Sequence, residues 1–394
     1  MSSQPTHHDP NTTFHRELYL PILHQIETHS IQESNQDHHQ IIINGSNLSI
    51  SDLIRNINSN SINKGLKVVL SDHVEVQDGI QKSYEFMTAR TNKSVYGVTT
   101  GFGAAANTRT SDVEALQVSI LEHLLAGVHG FETQDLSQLV PSSDLNQPLN
   151  LYSMPESIVR GAILIRLNSL ARGHSAIRLE VLNRLMDLLN LNITPIVPLR
   201  ASISASGDLS PLSYIAAALC GHPDVYAIDR SKSPPVIASS AEILSSHKIT
   251  PIKLGAKEGL ALVNGTSFSA SAASIALYSS HFLAMLSQVL TAMMTEAMLG
   301  QIGSFHPFIH ITARPHPGQI EVAETIDRLL KSSQLVDHTD HEEKDVSAEI
   351  SKQTLRQDRY PLRTAPQVSR VLSSLNQAFL DLLRLIFFLG FDVV

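Results

Sequence analysis

A single cysteine and the absence of tryptophan set the first limits on this chain of 394 residues. One thiol, Cys220, cannot form an intrachain disulfide or a cluster of thiolate metal ligands, and it fits a reducing compartment. The formal net charge is −8, and no run of lysines and arginines alternates with aromatic residues. A nucleic-acid partner is therefore not expected, because binding to phosphates needs clustered positive charge.

Long apolar runs are also absent from the sequence. No 18 consecutive residues are all apolar, and the most apolar tract, Phe379 to Val394, contains charged side chains. The N-terminus, rich in Ser, Gln, His and Asn, has the composition of neither a signal peptide nor a membrane anchor. We expect a disordered tail over residues 1–44, a cytoplasmic location, no membrane partner and no metal site.

The remaining pattern is mostly helical. Hydrophobic residues make up 42% of the chain, which suffices for a sizeable core. Apolar residues from Ile177 to Leu189 recur at helical spacing, and Ser175 is placed to cap this predicted helix. A longer segment, Ser269 to Leu299, is apolar on nearly every side and rich in Ala and Ser, as in the interior of a helical bundle. The fold class predicted from these patterns is all-α.

Few segments depart from this helical background. Lys67 to Leu70 is a short strand candidate, whereas Ser231 to Pro235 and Val336 to Ser347 have the composition of surface loops. The Gly-rich segment Tyr96 to Gly103 lacks the spacing and the following lysine of a nucleotide-binding loop. It is better interpreted as a flexible lid that carries Tyr96.

A second segment, Ser202 to Pro211, contains chemistry of its own. Ser210 and Pro211 are a good N-cap and first-turn pair, so Ala205, Ser206 and Gly207 would precede the positive end of a helix. In a tight fold the Gly207 nitrogen could attack the Ala205 carbonyl, and loss of water would leave a five-membered ring with an exocyclic methylene. Ser-Gly turns are common and nearly all are inert, so the three residues alone leave both interpretations open.

The third segment is Gln357 to Arg363. Arg363 offers a planar guanidinium for a carboxylate, and Tyr360 is placed to relay a proton. An arginine beside a loop is more often simply solvated, which remains the alternative interpretation.

Several of these segments together resemble one enzyme family. SISASGDLSPLSYIAAALCG is similar to the electrophile-forming segment of phenylalanine, tyrosine and histidine ammonia-lyases. The resemblance continues through SVYGVTTGFG, NTRT, LEHLLAGV, KEGLALVNGT, RPHPGQ and QDRYPLRT, in family order, over about Ser94 to Gln367.

The resemblance implies an all-α fold in which a helical core bundle follows an electrophile-bearing N-terminal domain. It implies an electrophile domain over residues 45–264 and a partial helical core over 265–394, truncated after about residue 367. Ammonia would be eliminated from L-phenylalanine or L-tyrosine by a homotetramer without an external cofactor. The electrophile would be 4-methylideneimidazole-5-one, formed from Ala205, Ser206 and Gly207.

The resemblance also assigns roles to individual side chains. Tyr96 corresponds to the base that removes the substrate β-proton, and Tyr360 is a second catalytic tyrosine. The implied substrate-binding residues are His123, Leu124, Leu260, Asn264, Gln357 and Arg363, of which Arg363 holds the carboxylate.

His123 and Leu124 occupy the position of the family's substrate-selecting pair. Imidazole can hydrogen-bond a phenol, and Leu124 departs from the dual-specificity pattern toward the tyrosine-preferring one. A satisfied interior histidine is the alternative.

The sequence departs from the family after Gln367, where no Asn-Pro-Leu segment follows. The readings that remain are a working lyase, a truncated non-catalytic chain of the same family and, as a third, an aminomutase with the same electrophile.

Overall fold

A computed structural model describes residues 40–58, 66–128, 139–202, 204, 207–338 and 359–370. Within these ranges the chain forms two compact units, which divide after Ile275. The first unit comprises the described residues up to Ile275, and the second comprises those from Ala276 to Arg370. The domain boundary predicted at residue 264 stays a prediction.

Helices dominate the described residues, as predicted. In chain order, α1 to α11 are Ile50–Asn58, Val74–Thr88, Val113–Leu124, Glu156–Leu170, Leu179–Asn190, Leu209–Leu219, Ser240–Ser246, Glu258–Val263, Ser267–Ala297, Pro317–Leu330 and Tyr360–Arg363. Short 3-10 or π turns lie at Gly103–Ala105, Ile302–Phe305 and Phe308–Thr312.

Helices α4 and α5 form the centre of the first unit. Nearly every residue of α4 is buried. The predicted apolar positions of α5 are also buried, so this helix is confirmed. Its capping prediction is wrong: the helix begins at Leu179, and the N-cap position is Arg178 rather than Ser175.

Two small sheets accompany the helices of the first unit. Strand β1 (Gln40–Ile43) pairs in parallel with β2 (Lys67–Leu70), which confirms the predicted strand. Because β1 lies inside the predicted tail, the tail boundary at residue 44 is wrong, whereas residues 1–39 lie outside the described ranges. Strands β3 (Ile193–Pro195), β4 (Tyr226–Asp229) and β5 (Val236–Ser239) form an antiparallel sheet. The predicted loop Ser231–Pro235 connects β4 to β5, which confirms it.

Helix α9 begins and ends two residues before the predicted segment. In its first turns Ser271 donates a hydrogen bond to the carbonyl of Ile158 in α4, 2.9 Å away. This contact shows how a small residue lets α9 approach its neighbour closely within the first unit.

The stretch Glu258–Ala297 is long and apolar enough to cross a membrane by length and composition alone. Its most apolar window is 61% buried within the fold, and the core helix of a soluble protein passes the same test. A search for 18 consecutive apolar residues does not find this stretch, because serines interrupt it. The most apolar tract of the sequence, Phe379–Val394, lies outside the described residues.

The second unit has its own apolar core. Val336 packs in this core, so the surface-loop prediction is wrong at that residue, and residues 339–347 lie outside the described ranges. The core residues are Ala292, Phe305, Val322, Ile326, Leu330 and Val336. On the remaining faces of α9, large apolar side chains are exposed, among them Leu283, Leu290 and Met293.

Candidate active site

Tyr96 lies on a turn that the neighbouring backbone holds. Its hydroxyl oxygen accepts a hydrogen bond from the backbone N–H of Gly103, 2.9 Å away, while 55% of the residue surface is exposed. Thr99 fixes the base of the turn, since its hydroxyl donates to the Lys93 carbonyl at 2.7 Å and accepts from the Val95 N–H at 2.8 Å. The tyrosine is therefore accessible, and Thr99 holds the backbone of its turn. Movement of the segment as a lid stays a prediction.

Gln117 on α3 links this turn to α8. Its amide nitrogen donates to the Gly97 carbonyl at 3.1 Å, and its amide oxygen accepts from the Leu260 N–H at 3.3 Å. The side chain is fully buried, so both bonds are shielded from water. The sequence does not single out Gln117. The only available signal is an uncharged polar residue on the face of α3 that also carries Ile120 and Leu121.

His123 and Leu124 form the last turn of α3. The His123 ring lies edge-on to Phe102, with 6.1 Å between ring centroids, which places it beside the Gly-rich segment. His123 is exposed within the first unit, so it is not the satisfied interior histidine that the sequence left open.

Helix α6 holds this end of α3 in place. The Ser210 hydroxyl donates to the Leu124 carbonyl at 2.8 Å, and the Tyr214 hydroxyl accepts from the Gly127 N–H at 3.0 Å. Burial raises the pKa of Tyr214, so its hydroxyl stays protonated. The position of His123 is thus tied to the helix that follows Gly207.

The start of α6 differs from the prediction. The helix begins at Leu209, so Ser210 lies inside the first turn rather than at the N-cap, whereas Pro211 lies in the first turn as predicted. Ser210 lies one residue after the start of the helix, and its hydroxyl donates to the Leu124 carbonyl. Asp208 takes the preceding position, and its carboxylate accepts a hydrogen bond from Ser202.

Gly207 lies in tight contact with a second glycine. Its φ is +148°, and a Cβ there would be 2.5 Å from the Gly265 carbonyl oxygen. The next residue, Asp208, donates its N–H to the same oxygen at 3.0 Å. Only glycine fits this position. Ala205 and Ser206 lie outside the described residues, so the ring-forming trio is represented by the glycine whose nitrogen would close the ring.

Leu260 and Asn264 lie on and directly after α8. Leu260 is buried, and the Asn264 N–H donates to the Leu260 carbonyl at 3.1 Å, which ends the helix. The Leu260 N–H is linked by Gln117 to the turn that carries Tyr96. Asn264 directly precedes Gly265, which lies against Gly207. Three sequence-predicted segments therefore meet within the first unit.

A buried ion pair fixes the beginning of α8. Two guanidinium nitrogens of Arg178 donate to the two carboxylate oxygens of Glu258, at 2.9 and 2.7 Å. The Gly255 N–H adds a third bond at 2.6 Å. The hydrogen bonds to Glu258 raise the pKa of Arg178 further above its ordinary value, so the pair stays charged.

We expect Glu258→Gln to lower the free energy of unfolding by about 3 kcal/mol, because one charge of a buried pair is left without its partner. Glu180→Gln is the matched control: Glu180 also pairs with Arg178, at 3.3 Å, but is largely exposed. Its removal should cost at most about 1 kcal/mol. Urea denaturation of both variants measures the difference, and equal losses would contradict the role given to Glu258.

Tyr360 and Arg363 belong to the second unit, on the short helix α11. The Arg363 guanidinium lies over the Tyr360 ring, 4.6 Å from its centroid, while Tyr360 remains largely exposed. Gln357 lies outside the described residues, and the roles of all three side chains stay predictions.

Comparison with known proteins shows which family this chain belongs to. The family model described as aromatic amino acid lyase matches residues 48–379. Phenylalanine/tyrosine ammonia-lyase of Rhodotorula toruloides is 50% identical over 327 residues, and phenylalanine ammonia-lyase str11 of Strobilurus tenacellus is 47% identical over 367 residues. These alignments cover 82% and 91% of this chain but 43% and 49% of the relatives. The chain thus spans about half the length of the curated relatives it matches.

Solved structures resemble the chain to a similar extent. Phenylalanine ammonia-lyase from Rhodosporidium toruloides has a TM-score of 0.70 at 40% identity, covering 88% of this chain and 46% of that one. Tyrosine aminomutase from Streptomyces globisporus has a TM-score of 0.70 at 28% identity, covering 88% of this chain and 61% of that one. The predicted helical fold class is therefore confirmed.

Proposed function

Because the chain belongs to the aromatic amino acid lyase family, we propose that it eliminates ammonia from L-phenylalanine or L-tyrosine. The products would be trans-cinnamate and p-coumarate. The observation that carries the proposal is Gly207, held against Gly265 in a conformation and a space that only glycine fits. It follows Ala205 and Ser206 in the segment that resembles the electrophile-forming segment of these enzymes.

Ring formation would use atoms of the chain alone. The Gly207 amide nitrogen attacks the Ala205 carbonyl carbon, and the carbonyl oxygen leaves as water. The Ser206 hydroxyl leaves with the Ser206 α-hydrogen as a second water, and the exocyclic methylene of 4-methylideneimidazole-5-one remains. No oxidant or external cofactor is needed.

Elimination requires help at two atoms of the substrate. An ammonium group is a poor leaving group, and the ring supplies an electrophile that activates departure of ammonia. The β-proton is a weak acid, and we assign its removal to the Tyr96 hydroxyl, which is accessible on its turn. Asn264, next to Gly265, is assigned to the side of the amine.

The other roles follow the resemblance residue by residue. Arg363 would hold the substrate carboxylate, and Tyr360 would relay a proton. Gln357, Leu260 and Leu124 would contribute to the substrate pocket. The proposed assembly is a homotetramer located in the cytoplasm.

A second candidate is a non-catalytic chain that associates with other copies or longer relatives. The exposed apolar side chains of α9 favour it, because apolar surface of this kind is typical of interaction sites. This candidate predicts a chain that folds and forms the ring but does not release ammonia from either substrate.

Incubation of the purified chain with L-phenylalanine and L-tyrosine separates these possibilities. The proposal expects equal amounts of ammonia and of cinnamate or p-coumarate. Folded chain that yields neither supports the second candidate, whereas accumulation of a β-amino acid would identify an aminomutase instead.

Substrate choice gives a further expectation. His123→Phe should shift preference toward phenylalanine, because the phenol of tyrosine loses its polar partner at a cost of about 1–3 kcal/mol. The measured quantity is the ratio of kcat/KM for the two substrates, with the exposed neighbour Glu122→Gln as control. An unchanged ratio would remove His123 from this role.

A further inference from the structure

Two buried arginines on α4 have different surroundings. Arg160 donates to the carbonyls of Asn56 and Leu189, both at 3.4 Å. Arg166 instead donates to the carbonyl of Ala261, in the last turn of α8. The two guanidinium groups therefore support different parts of the first unit from the same helix.

Arg166 also fills the space beside Gly265. A Cβ at Gly265 would be 2.5 Å from the Arg166 Nη1 atom and 3.1 Å from its Cζ atom. Gly265 thus lies against the guanidinium where its own Cβ would be, and its backbone atoms lie against Gly207. The planar guanidinium of Arg166 therefore supports the backbone that joins α8 to α9.

This arrangement connects Arg166 to the ring-forming segment. The guanidinium donates a hydrogen bond to the Ala261 carbonyl at the end of α8, and it also limits the position of Gly265 by direct contact. The Gly265 carbonyl in turn accepts the Asp208 N–H at 3.0 Å, directly after Gly207. Displacement of Gly265 would break this bond and open the space that constrains Gly207.

We propose that Arg166 is a positioning residue that holds Gly265 against Gly207 and so keeps the Gly207 nitrogen in place for ring closure. Its proposed action passes through its contact with Gly265. The proposal rests on the proposed function for the ring itself, whereas the contact between Arg166 and Gly265 does not depend on it.

The test compares Arg166→Met, Arg166→Lys and the matched control Arg160→Met in the full chain. Hydrogen exchange of the Asp208 amide reports the contact with Gly265. We expect exchange about tenfold faster in Arg166→Met than in the parent, an intermediate rate in Arg166→Lys and no change in Arg160→Met. Lysine keeps the charge but lacks the planar fork, so it restores only part of the support.

Intact mass supplies the second readout. Arg166→Met should retain water that the parent loses, whereas Arg160→Met should lose two waters like the parent. Unchanged Asp208 exchange in Arg166→Met, or an equal increase in Arg160→Met, would overturn the proposal. If Arg166→Met does not fold, exchange in Arg166→Lys decides: a rate equal to that of the parent refutes the role. A parent chain of full mass would contradict the proposed function, while the exchange comparison still decides the role of Arg166.

Discussion

Tyr96→Phe is expected to lower kcat by about 10²- to 10⁴-fold, the range typical for loss of a general base. The substitution removes only the phenol hydroxyl, together with the hydrogen bond that it accepts from the Gly103 N–H, and leaves the aromatic ring. The turn itself should persist, because Thr99 holds its base through bonds that do not involve Tyr96. Substrate binding should therefore change little, and the loss should appear in kcat rather than in KM.

Steady-state kinetics of the variant on both substrates measures this effect. Tyr152→Phe is the matched control, since Tyr152 is another partly exposed tyrosine of the first unit. It should retain the parent rate. Activity in Tyr96→Phe within threefold of the parent, or an equal loss in Tyr152→Phe, would exclude Tyr96 as the base.

Ser206→Ala is expected to abolish turnover altogether. Alanine has no hydroxyl to leave as water, so the exocyclic methylene cannot form. Without this electrophile the ammonium stays a poor leaving group. The loss should therefore exceed that of Tyr96→Phe, which removes the base but leaves the electrophile.

Ser204→Ala provides the control for Ser206, because Ser204 is an exposed serine of the same segment. It should keep both activity and mass loss. Product assays with either substrate measure the outcome. Residual turnover in Ser206→Ala, with the same product, would mean that the chain uses another electrophile.

The helical fold could be predicted because its signals are local and repeated. The buried positions of α5 and the length of α9 follow directly from apolar spacing. The start of α5 does not follow from this spacing. The residue before the helix, Arg178, makes an ion pair with Glu258 on α8 and does not cap the helix with its side chain. Strand β1 is not predicted by the sequence, because its pairing with β2 joins segments that helix α1 separates along the chain.

The site could be predicted only where side chains carry recognisable chemistry. Tyr96, His123 and Gly207 belong to motifs, and the structure places them in segments that contact one another within the first unit. Gln117 and Arg166 act through backbone carbonyls and amides, which no residue pattern reveals. The sequence predicts Ser210 as a cap from its residue type, whereas its observed bond to Leu124 depends on a contact between distant segments.

Intact-mass spectrometry of the purified chain, followed by peptide mapping, tests the central claim most directly. The claim is that Ala205, Ser206 and Gly207 form an electrophilic ring without outside help. The account predicts a chain lighter by two water molecules, with the whole deficit in the peptide that contains these residues, and full mass in Ser206→Ala. A folded parent chain of full mass, or a deficit in another peptide, would contradict it.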